Sequence, residues 1–509
     1  MINDAIMECI KSDSRFIDKK KFADQPIAKQ GVKEISRRIK TPVRDKVKSM
    51  DYILDAVGLQ DGMTISFHHS LRNGDEVMEE VIRCIANKGI KNLTLAASSL
   101  SSIQDKLLPY LECGVITAID TSGCRGKLGE YIQQGKLDKL AIFRSHGGRA
   151  GAIESGELHI DVAFIAAPIC DRYGNVNGVE GRAACGSLGY AMCDARFADY
   201  VVAVTDTLVE QPLRYVSIPQ TQVDYITVVS SIGDSSGIMT GSIRVSQKPS
   251  ELVIANHAAN LIAATFYFKN HMVFQFGSGG IAISTANFLR KHMIDMNIVA
   301  SAGVGGVSAF HTQMLEEGLI ETFFDPQDFD LKAIQSLRNN KNHQEISVGE
   351  YANPFSASPY VNLLDIAVLS ATEVDINFNV NVLTDSYGKL IGAPGGHPDA
   401  AAGAKFTVIT VPLLRGRLPM LLDHVTTIVT PGNSVDAIVT DYGIAINPSR
   451  DDINEQIRGK GLPIVSIEEL YEKAHKLSGR MNEIKVKDEV CGIVEYRDGT
   501  IIDVINQRK

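Results

Sequence analysis

The sequence predicts an α/β protein made of two related domains, each with a largely parallel sheet flanked by helices. Three observations carry this. Apolar strand-like runs alternate with helical stretches over most of the 509 residues, the pattern of βαβ units. The chain is too long for a single core. Blocks of its first half also recur, in the same order, in its second.

Residues 1–50 hold 13 Lys/Arg against 7 Asp/Glu, about +6, which leaves about −15 on the remainder of a chain with formal net charge −9. They are expected to form a basic, mostly helical extension, suited either to solvation or to docking on an acidic partner. Residues 51–240 form the first domain. Within them, "MTISFHHSLRNGDEVMEEVIRCIANKGIKNLTLAA" reads as strand, polar glycine-bearing loop, helix with Val77, Val81, Ile82 and Ile85 on one face, then strand. In residues 241–509, the second domain, "HMVFQFGSGGIAISTANFLRKHMIDMNIVASA" repeats that order.

Shorter matches tie the halves together. Asp161–Ala167, "DVAFIAA", pairs with Asp365–Ala371, "DIAVLSA", at an offset of 204; "DRYGNVNG" (171–178) pairs with "DSYGKLIG" (385–392) at 214, and "ADYVVAV" (198–204) with "AKFTVIT" (404–410) at 206. Apolar runs of this kind are strands covered on both faces, hence parallel. The boundary is placed near residue 240, in the polar stretch "SSGIMTGSIRVSQKPSELVIANH". The second domain is expected to end in a helix, "GLPIVSIEELYEKAHKLSG", and a hairpin, "VCGIVEYRDGTIIDVI", turning at Asp498 and Gly499.

Composition excludes several classes. Hydrophobic residues at 44% and charged residues at 22% are ordinary for a globular protein. No uncharged apolar run reaches the roughly 18 residues of a membrane span. The N-terminus "MINDAIMECIKSDSRF" lacks the apolar core of a signal peptide, so a cytoplasmic protein without membrane contact is expected. Eight scattered cysteines with no C-x-x-C pair suit reduced thiols. Trp is absent and the main body is acidic, which argues against a nucleic-acid surface. No Walker A, complete dinucleotide fingerprint or G-x-S-x-G elbow is present.

Chemistry is expected beyond the carboxyl ends of the parallel strands. There "FHHSLRNGD" (67–75) offers His69 and Arg72, "FGSGGIA" (276–282) offers Gly277, Gly279 and Gly280, and "SAGVGGVSA" (301–309) offers Gly303, Gly305 and Gly306. Closely spaced glycines let backbone N–H groups approach a phosphate or an oxyanion without Cβ interference; a plain tight turn is the alternative for each. His68 and His69 point to opposite faces of a strand end and are not expected to share a metal. In "RSHGGRAGAIESGEL" (144–158), Arg144 and Arg149 are candidate carboxylate forks, or else surface arginines.

The stretch "IGAPGGHPDAAAGAKF" (391–406) is set against "NGVEGRAACGSLGYAMCDARFADY" in the first half, with Gly178 at Gly392 and Gly181 at Gly395. Its Gly-His-Pro-Asp is unshared and is therefore assigned to chemistry, with a purely structural role as the alternative for His397 and Asp399. Gly395, Gly396 and His397 are the catalytic candidates, while Gly392 and Asp399 are added as substrate-binding ones. One His and one Asp are too few ligands for a metal site, and none is expected.

On "DVAFIAAPICDRYGNVNG", "PQTQVDYI", "FQFGSGGIAIST", "DPQDFD", "IGAPGGHPDAAAGAK", "LPMLLDHVTTIVTPG" and "VDAIVTDYGIAINP", from about residue 30 to the C-terminus, the chain resembles the coenzyme A transferases. Their fold is two related, phosphosugar-isomerase-like α/β domains. Within them the chain is similar to the citrate lyase alpha subunit family. The resemblance implies a transferase that exchanges acetate for citrate on a coenzyme-A-like prosthetic group carried by a small acyl carrier (gamma) subunit, turning acetyl-ACP and citrate into citryl-ACP and acetate. Acetyl-CoA is implied as a further substrate, and no cofactor bound by the chain itself. A beta subunit, the citryl lyase, would then cleave the citryl thioester. A homo-oligomer within a large cytoplasmic complex used in citrate fermentation is implied too.

Many coenzyme A transferases carry a nucleophilic glutamate in a Ser-Glu-Asn-Gly-like turn. The corresponding stretch here, "VASAGVGG" (299–306), has no carboxylate. The resemblance therefore implies direct attack of the incoming carboxylate on the thioester, with Glu373 or Glu154 as alternative, displaced nucleophiles. Other readings stay open: a citramalate CoA-transferase, a related acyl-CoA transferase or hydrolase, and a non-enzymatic ligand-binding regulator, for which neither terminus shows a helix-turn-helix.

Overall fold

The computed structural model describes residues 2–22, 45–239, 246–478 and 486–509. The first half supplies Thr64–Phe67 (β1), Leu93–Ala97 (β2), Ile116–Thr121 (β3), Ala141–Arg144 (β4), Val162–Ala167 (β5), Ile169–Asp171 (β6), Val176–Asn177 (β7), Tyr200–Thr205 (β8), Leu208–Val209 (β9) and Tyr225–Val228 (β10). The second half supplies Val273–Phe276 (β11), Ala300–Val304 (β12), Ile320–Asp325 (β13), His343–Glu345 (β14), Ile366–Ser370 (β15), Glu373–Asp375 (β16), Val380–Asn381 (β17) and Phe406–Thr410 (β18). Leu414–Arg415 (β19), Leu418–Pro419 (β20), Leu421–Leu422 (β21), Ala437–Val439 (β22) and Ile444–Ile446 (β23) follow. Val486–Glu495 (β24) and Ile501–Arg508 (β25) end the chain.

Two large sheets result, ordered β10-β8-β5-β1-β2-β3-β4-β24-β25 and β14-β13-β12-β11-β15-β18-β22-β23. Read from opposite ends they coincide: β1 answers to β11, β2 to β12, β3 to β13, β4 to β14, β5 to β15, β8 to β18 and β10 to β22. The small sheets β7-β6-β9 and β17-β16-β21 correspond as well. The shared strands pair in parallel and need helical cover on their faces. Helix Val77–Asn87 gives it by burying Val77, Met78, Val81, Ile82 and Ile85, the stripe legible in the sequence. The aspartates ahead of β5 and β15 act alike: Asp161 accepts from Thr64 N at 2.7 Å and Asp365 from Val273 N at 2.9 Å, tying each strand to the start of its neighbour.

The duplication corrects one sequence match. "DRYGNVNG" answers not to "DSYGKLIG" but to "DINFNVNV" (375–382), at the same offset of 204 as the preceding strand. Asp171 accepts from the N–H groups of Tyr173, Gly174 and Asn175 and from the Asn175 side chain. Asp375 repeats the turn with Asn377 and Asn379. "DSYGKLIG" is a further aspartate-headed turn, on Asp385, and such turns look alike because one carboxylate gathers the following N–H groups. Gly178 and Gly181 are therefore not the counterparts of Gly392 and Gly395. Tyr200 and Phe406 open β8 and β18, an offset of 206 that sets Gly189 and Tyr190 opposite Gly395 and Gly396.

The C-terminal hairpin was expected to close the second domain; it extends the first sheet instead, β24 pairing in parallel with β4. An unpaired β4 edge would be open to other chains, and charge favours the pairing. Arg144 is buried and contacts Glu495 of β24, Asp120 at 2.9 Å and Glu157 at 2.9 Å. At the N-terminus, helix Asp4–Lys11 brings Met7 and Ile10, with Phe16, onto Ile142, Ile493 and Ile501. The rest of the basic extension (residues 23–44) and the boundary placed near residue 240 lie outside the described residues. Among the described residues no helix is long and apolar enough to cross a membrane.

Candidate active site

A cleft of about 690 Å³ opens where loops at the carboxyl ends of both sheets meet. The first half contributes His69, Arg72 and Asn73 after β1, Ser99 to Ser102 and Gln104 after β2, Arg125 after β3, His146 after β4, and Tyr190. The second contributes Gly277 to Gly279 after β11, Gly306 after β12, Gln327 and Phe329 after β13, Ser370 to Thr372 from the end of β15, Gln275, Tyr351 and Gly395 to His397. Among the described residues no Asp or Glu lines the cleft; its permanent charges are the guanidiniums of Arg72 and Arg125.

The stretch around Gly395 stitches the halves together. Gly395 has φ +57°, a left-handed conformation open to glycine at no steric cost. Its N–H donates to Ser122 Oγ at 3.2 Å and its carbonyl accepts from His146 N at 2.9 Å. Asp399 is fully buried and accepts from Ser145 Oγ and Gly147 N, each at 2.9 Å, with Arg497 Nε at 3.5 Å. Burial pushes this carboxyl up, opposed by Arg497 and the Gly147 N–H. Asp399 thus clamps the start of helix His146–Glu154 against the start of helix His397–Gly403. A Cβ built on Gly396 would lie 2.6 Å from Tyr351 Oη, which accepts from Gln275 Nε2 at 2.8 Å.

Three histidines face the cleft. The rings of His69 and His146 stack at 5.8 Å, and both lie against Tyr190, at 4.7 and 4.6 Å. His69 Nδ1 meets Ser98 Oγ at 2.5 Å, and His397 Nδ1 meets Thr430 Oγ1 at 2.7 Å. Burial, then the neighbouring Arg149 and Arg72, pull His146 down to about 3; burial pulls His397 down to about 4; His69 sits well below its usual value through burial and His146. All three are neutral hydrogen-bonding groups at physiological pH. His68 points away, its Nε2 accepting from Ala166 N at 3.0 Å and its Nδ1 on Ser70 Oγ at 2.9 Å. Because burial holds all three rings below the ordinary imidazole value, exchange of labelled acetate into acetyl-CoA is expected to show no histidine limb from about pH 5.5 to 8. A fall with midpoint near the ordinary imidazole value would contradict this.

Of the residues singled out in the sequence, the cleft gathers His69, Arg72, Gly277, Gly279, Gly306, Gly395, Gly396 and His397. Gly280 lies in an adjoining groove with Lys248 and Arg415. The others are placed elsewhere. Gly303 lies within β12, where a Cβ would strike the Phe323 ring at 2.3 Å; Gly392 packs 1.9 Å, by the same measure, from the Val382 carbonyl; Gly305 makes a left-handed turn beside Gln275. Arg144 and Arg149 are buried in ion pairs that hold the fold, Arg149 on Asp194 at 2.8 Å. Asp399 is the clamp just described. Sequence reasoning passed over Ser99 to Ser102 and Arg125, although each follows a first-sheet strand, and noted His146 beside Arg144 and Arg149 without giving it a role. Tyr190 and Tyr351 sit on helices and carry no such signal.

Comparison with known proteins decides the family. The family model described as citrate lyase, alpha subunit (CitF), matches residues 43–508. The chain belongs to the citrate lyase alpha subunit family. It is 47% identical over 461 residues to the citrate lyase alpha chain of Klebsiella pneumoniae, 91% of each chain, and 48% identical over 452 residues to that of Escherichia coli K12, 89% of each. A solved structure from Streptococcus mutans, described as an alpha subunit of citrate lyase in complex with citrate, superposes with TM-score 0.92 at 47% identity, covering 95% of this chain and 96% of that one. A malonate decarboxylase alpha subunit from Acinetobacter baumannii shares the fold alone, with TM-score 0.62 at 14% identity over 85% of this chain and 92% of that one. As a citrate lyase alpha subunit the chain is the transferase component of a multisubunit citrate lyase.

Proposed function

We propose that this cleft exchanges acetate for citrate on the thiol of a coenzyme-A-like group presented by an acyl carrier subunit, or on coenzyme A itself, and hands the citryl thioester to a separate lyase subunit. A citrate carboxylate oxygen attacks the acetyl thioester carbonyl, the C–S bond breaks, and a mixed anhydride and a thiolate remain. The thiolate then attacks the citryl carbonyl of the anhydride, and acetate leaves with the bridging oxygen. One thioester replaces another, so no hydrolytic base is needed. The site has to align two acyl groups, steady an oxyanion and exclude water.

The observation that carries this reading is the lining of the cleft: glycine loops and neutral histidines from both halves, two arginines and, among the described residues, no carboxylate. A covalent glutamyl route needs a glutamate there. Glu373 is buried in β16, accepting from Asn381 Nδ2 and Thr426 N, and Glu154 accepts from Asn353 Nδ2; neither lines the cleft. Backbone N–H groups at Gly396, Ser278 and Gly279, which line the cleft, suit the oxyanion, where one donor contributes about 2.7 to 4 kcal/mol; the Gly395 and Gly277 N–H groups are taken by Ser122 Oγ and the Val368 carbonyl. Purified protein given acetyl-CoA and citrate is expected to yield citryl-CoA and acetate in equal amounts, with citramalate assayed in parallel. Exchange with neither acid would refute the proposal.

A further inference from the structure

Resting on that reading, we infer that Arg72 and Arg125 form a tricarboxylate-reading end of the cleft, one guanidinium for each of the two citrate carboxylates that do not react. Acetate brings only its reacting carboxylate. Citrate brings two more, and the described lining holds two permanent cations to receive them.

The two arginines arrive from one sheet, Arg72 after β1 and Arg125 after β3, with β2 between them. Arg72 is set in place. Its backbone is left-handed at φ +50°, its guanidinium lies 4.3 Å from the centre of the Phe329 ring, and its Nη2 is 3.5 Å from Gln327 Oε1. Arg125 is solvent-facing, and its guanidinium makes no hydrogen bond or ion pair among the described residues. Burial, with attraction from Tyr190 set against repulsion from Arg125, brings Arg72 down to about 10, and burial also lowers Arg125; a guanidinium so placed is still a cation at neutral pH. Two like charges facing one cleft are relieved by a bound polyanion, and a guanidinium fork matches a carboxylate bidentately.

Citramalate, with one non-reacting carboxylate, needs only one of the pair. The test is therefore a ratio. Wild type and the variants Arg125→Gln and Arg125→Lys are assayed with acetyl-CoA against citrate and against citramalate. In Arg125→Gln, kcat/KM for citrate is expected to fall about ten- to hundredfold, with a smaller fall for citramalate, so that the citrate-to-citramalate ratio drops at least about fivefold. Arg125→Lys, which keeps the charge without the fork, is expected to recover part of the ratio. An unchanged ratio, or a raised KM for acetyl-CoA with citrate kinetics unaltered, would overturn the inference; the second result would give Arg125 to the phosphates of the thioester arm. Failure of the proposed function is separable, because wild type would then exchange neither acid and would not pass labelled acetate into acetyl-CoA.

Discussion

Replacing Gly396 with valine is expected to lower citrate exchange by about a hundredfold or more while the protein still folds. Gly396 precedes helix His397–Gly403 with φ −87°, so the backbone tolerates a side chain; what resists is the space in front of it. A Cβ would stand 2.6 Å from Tyr351 Oη, and the buried tyrosine would have to leave Gln275, another residue of the cleft wall. Overpacking of this kind costs about 1 to 3 kcal/mol of stability. Displacing reacting groups by an ångström costs about a hundredfold in rate. Because the nearest obstruction is the Tyr351 oxygen, with the ring carbons at 3.3 and 3.4 Å, Gly396→Ala combined with Tyr351→Phe is expected to be more active than Gly396→Ala alone. Wild-type turnover by Gly396→Val would reduce this stretch to a turn.

The largest effect on stability is expected at Arg149. It is 1% exposed, its guanidinium forks onto fully buried Asp194 at 2.8 and 3.2 Å, and Nη2 also donates to Ser66 Oγ at 3.1 Å. Arg149→Ala leaves the Asp194 charge buried without its partner, at a cost of about 3 to 5 kcal/mol. Urea unfolding would show it as a lower midpoint. Replacing both members, Arg149→Met with Asp194→Leu, is expected to recover much of the loss, since the pair's strength is offset by its desolvation. An Arg149→Ala variant with an unchanged midpoint and weakened citrate binding would instead return this arginine to the cleft, where the sequence had placed it.

Arg149 shows where sequence reading ends. An arginine in a glycine-rich loop looks the same whether it greets a substrate or a buried aspartate. Its partner Asp194 lies on another helix, and the Arg144 partner Glu495 arrives from the last hairpin. What was legible came from local physics: apolar runs opened by Asp161 and Asp365 marked the same strand in each half, and the loops holding His69, Arg72, Gly277 and Gly279 were found because they follow such strands. The alignment of "DSYGKLIG" failed because an aspartate-headed turn is a local solution that recurs, on Asp171, Asp375 and Asp385 alike. The cleft itself is not local. Tyr190 and Tyr351 belong to helices of opposite halves, and Gly395 meets His146 only because loops beyond the carboxyl ends of the two sheets come together.

The central claim, direct transfer between acids within a cleft that no carboxylate lines among the described residues, is tested most directly by following oxygen through one turnover. Enzyme in excess over acetyl-CoA is mixed with citrate carrying ¹⁸O in its carboxylates, and the released acetate is analysed by mass. Direct attack passes one citrate oxygen through the anhydride bridge, so acetate from the first turnover should carry one ¹⁸O. Unlabelled acetate formed in that turnover together with an equal amount of citryl-CoA would mean that the oxygen came from an enzyme carboxylate, and would contradict the account.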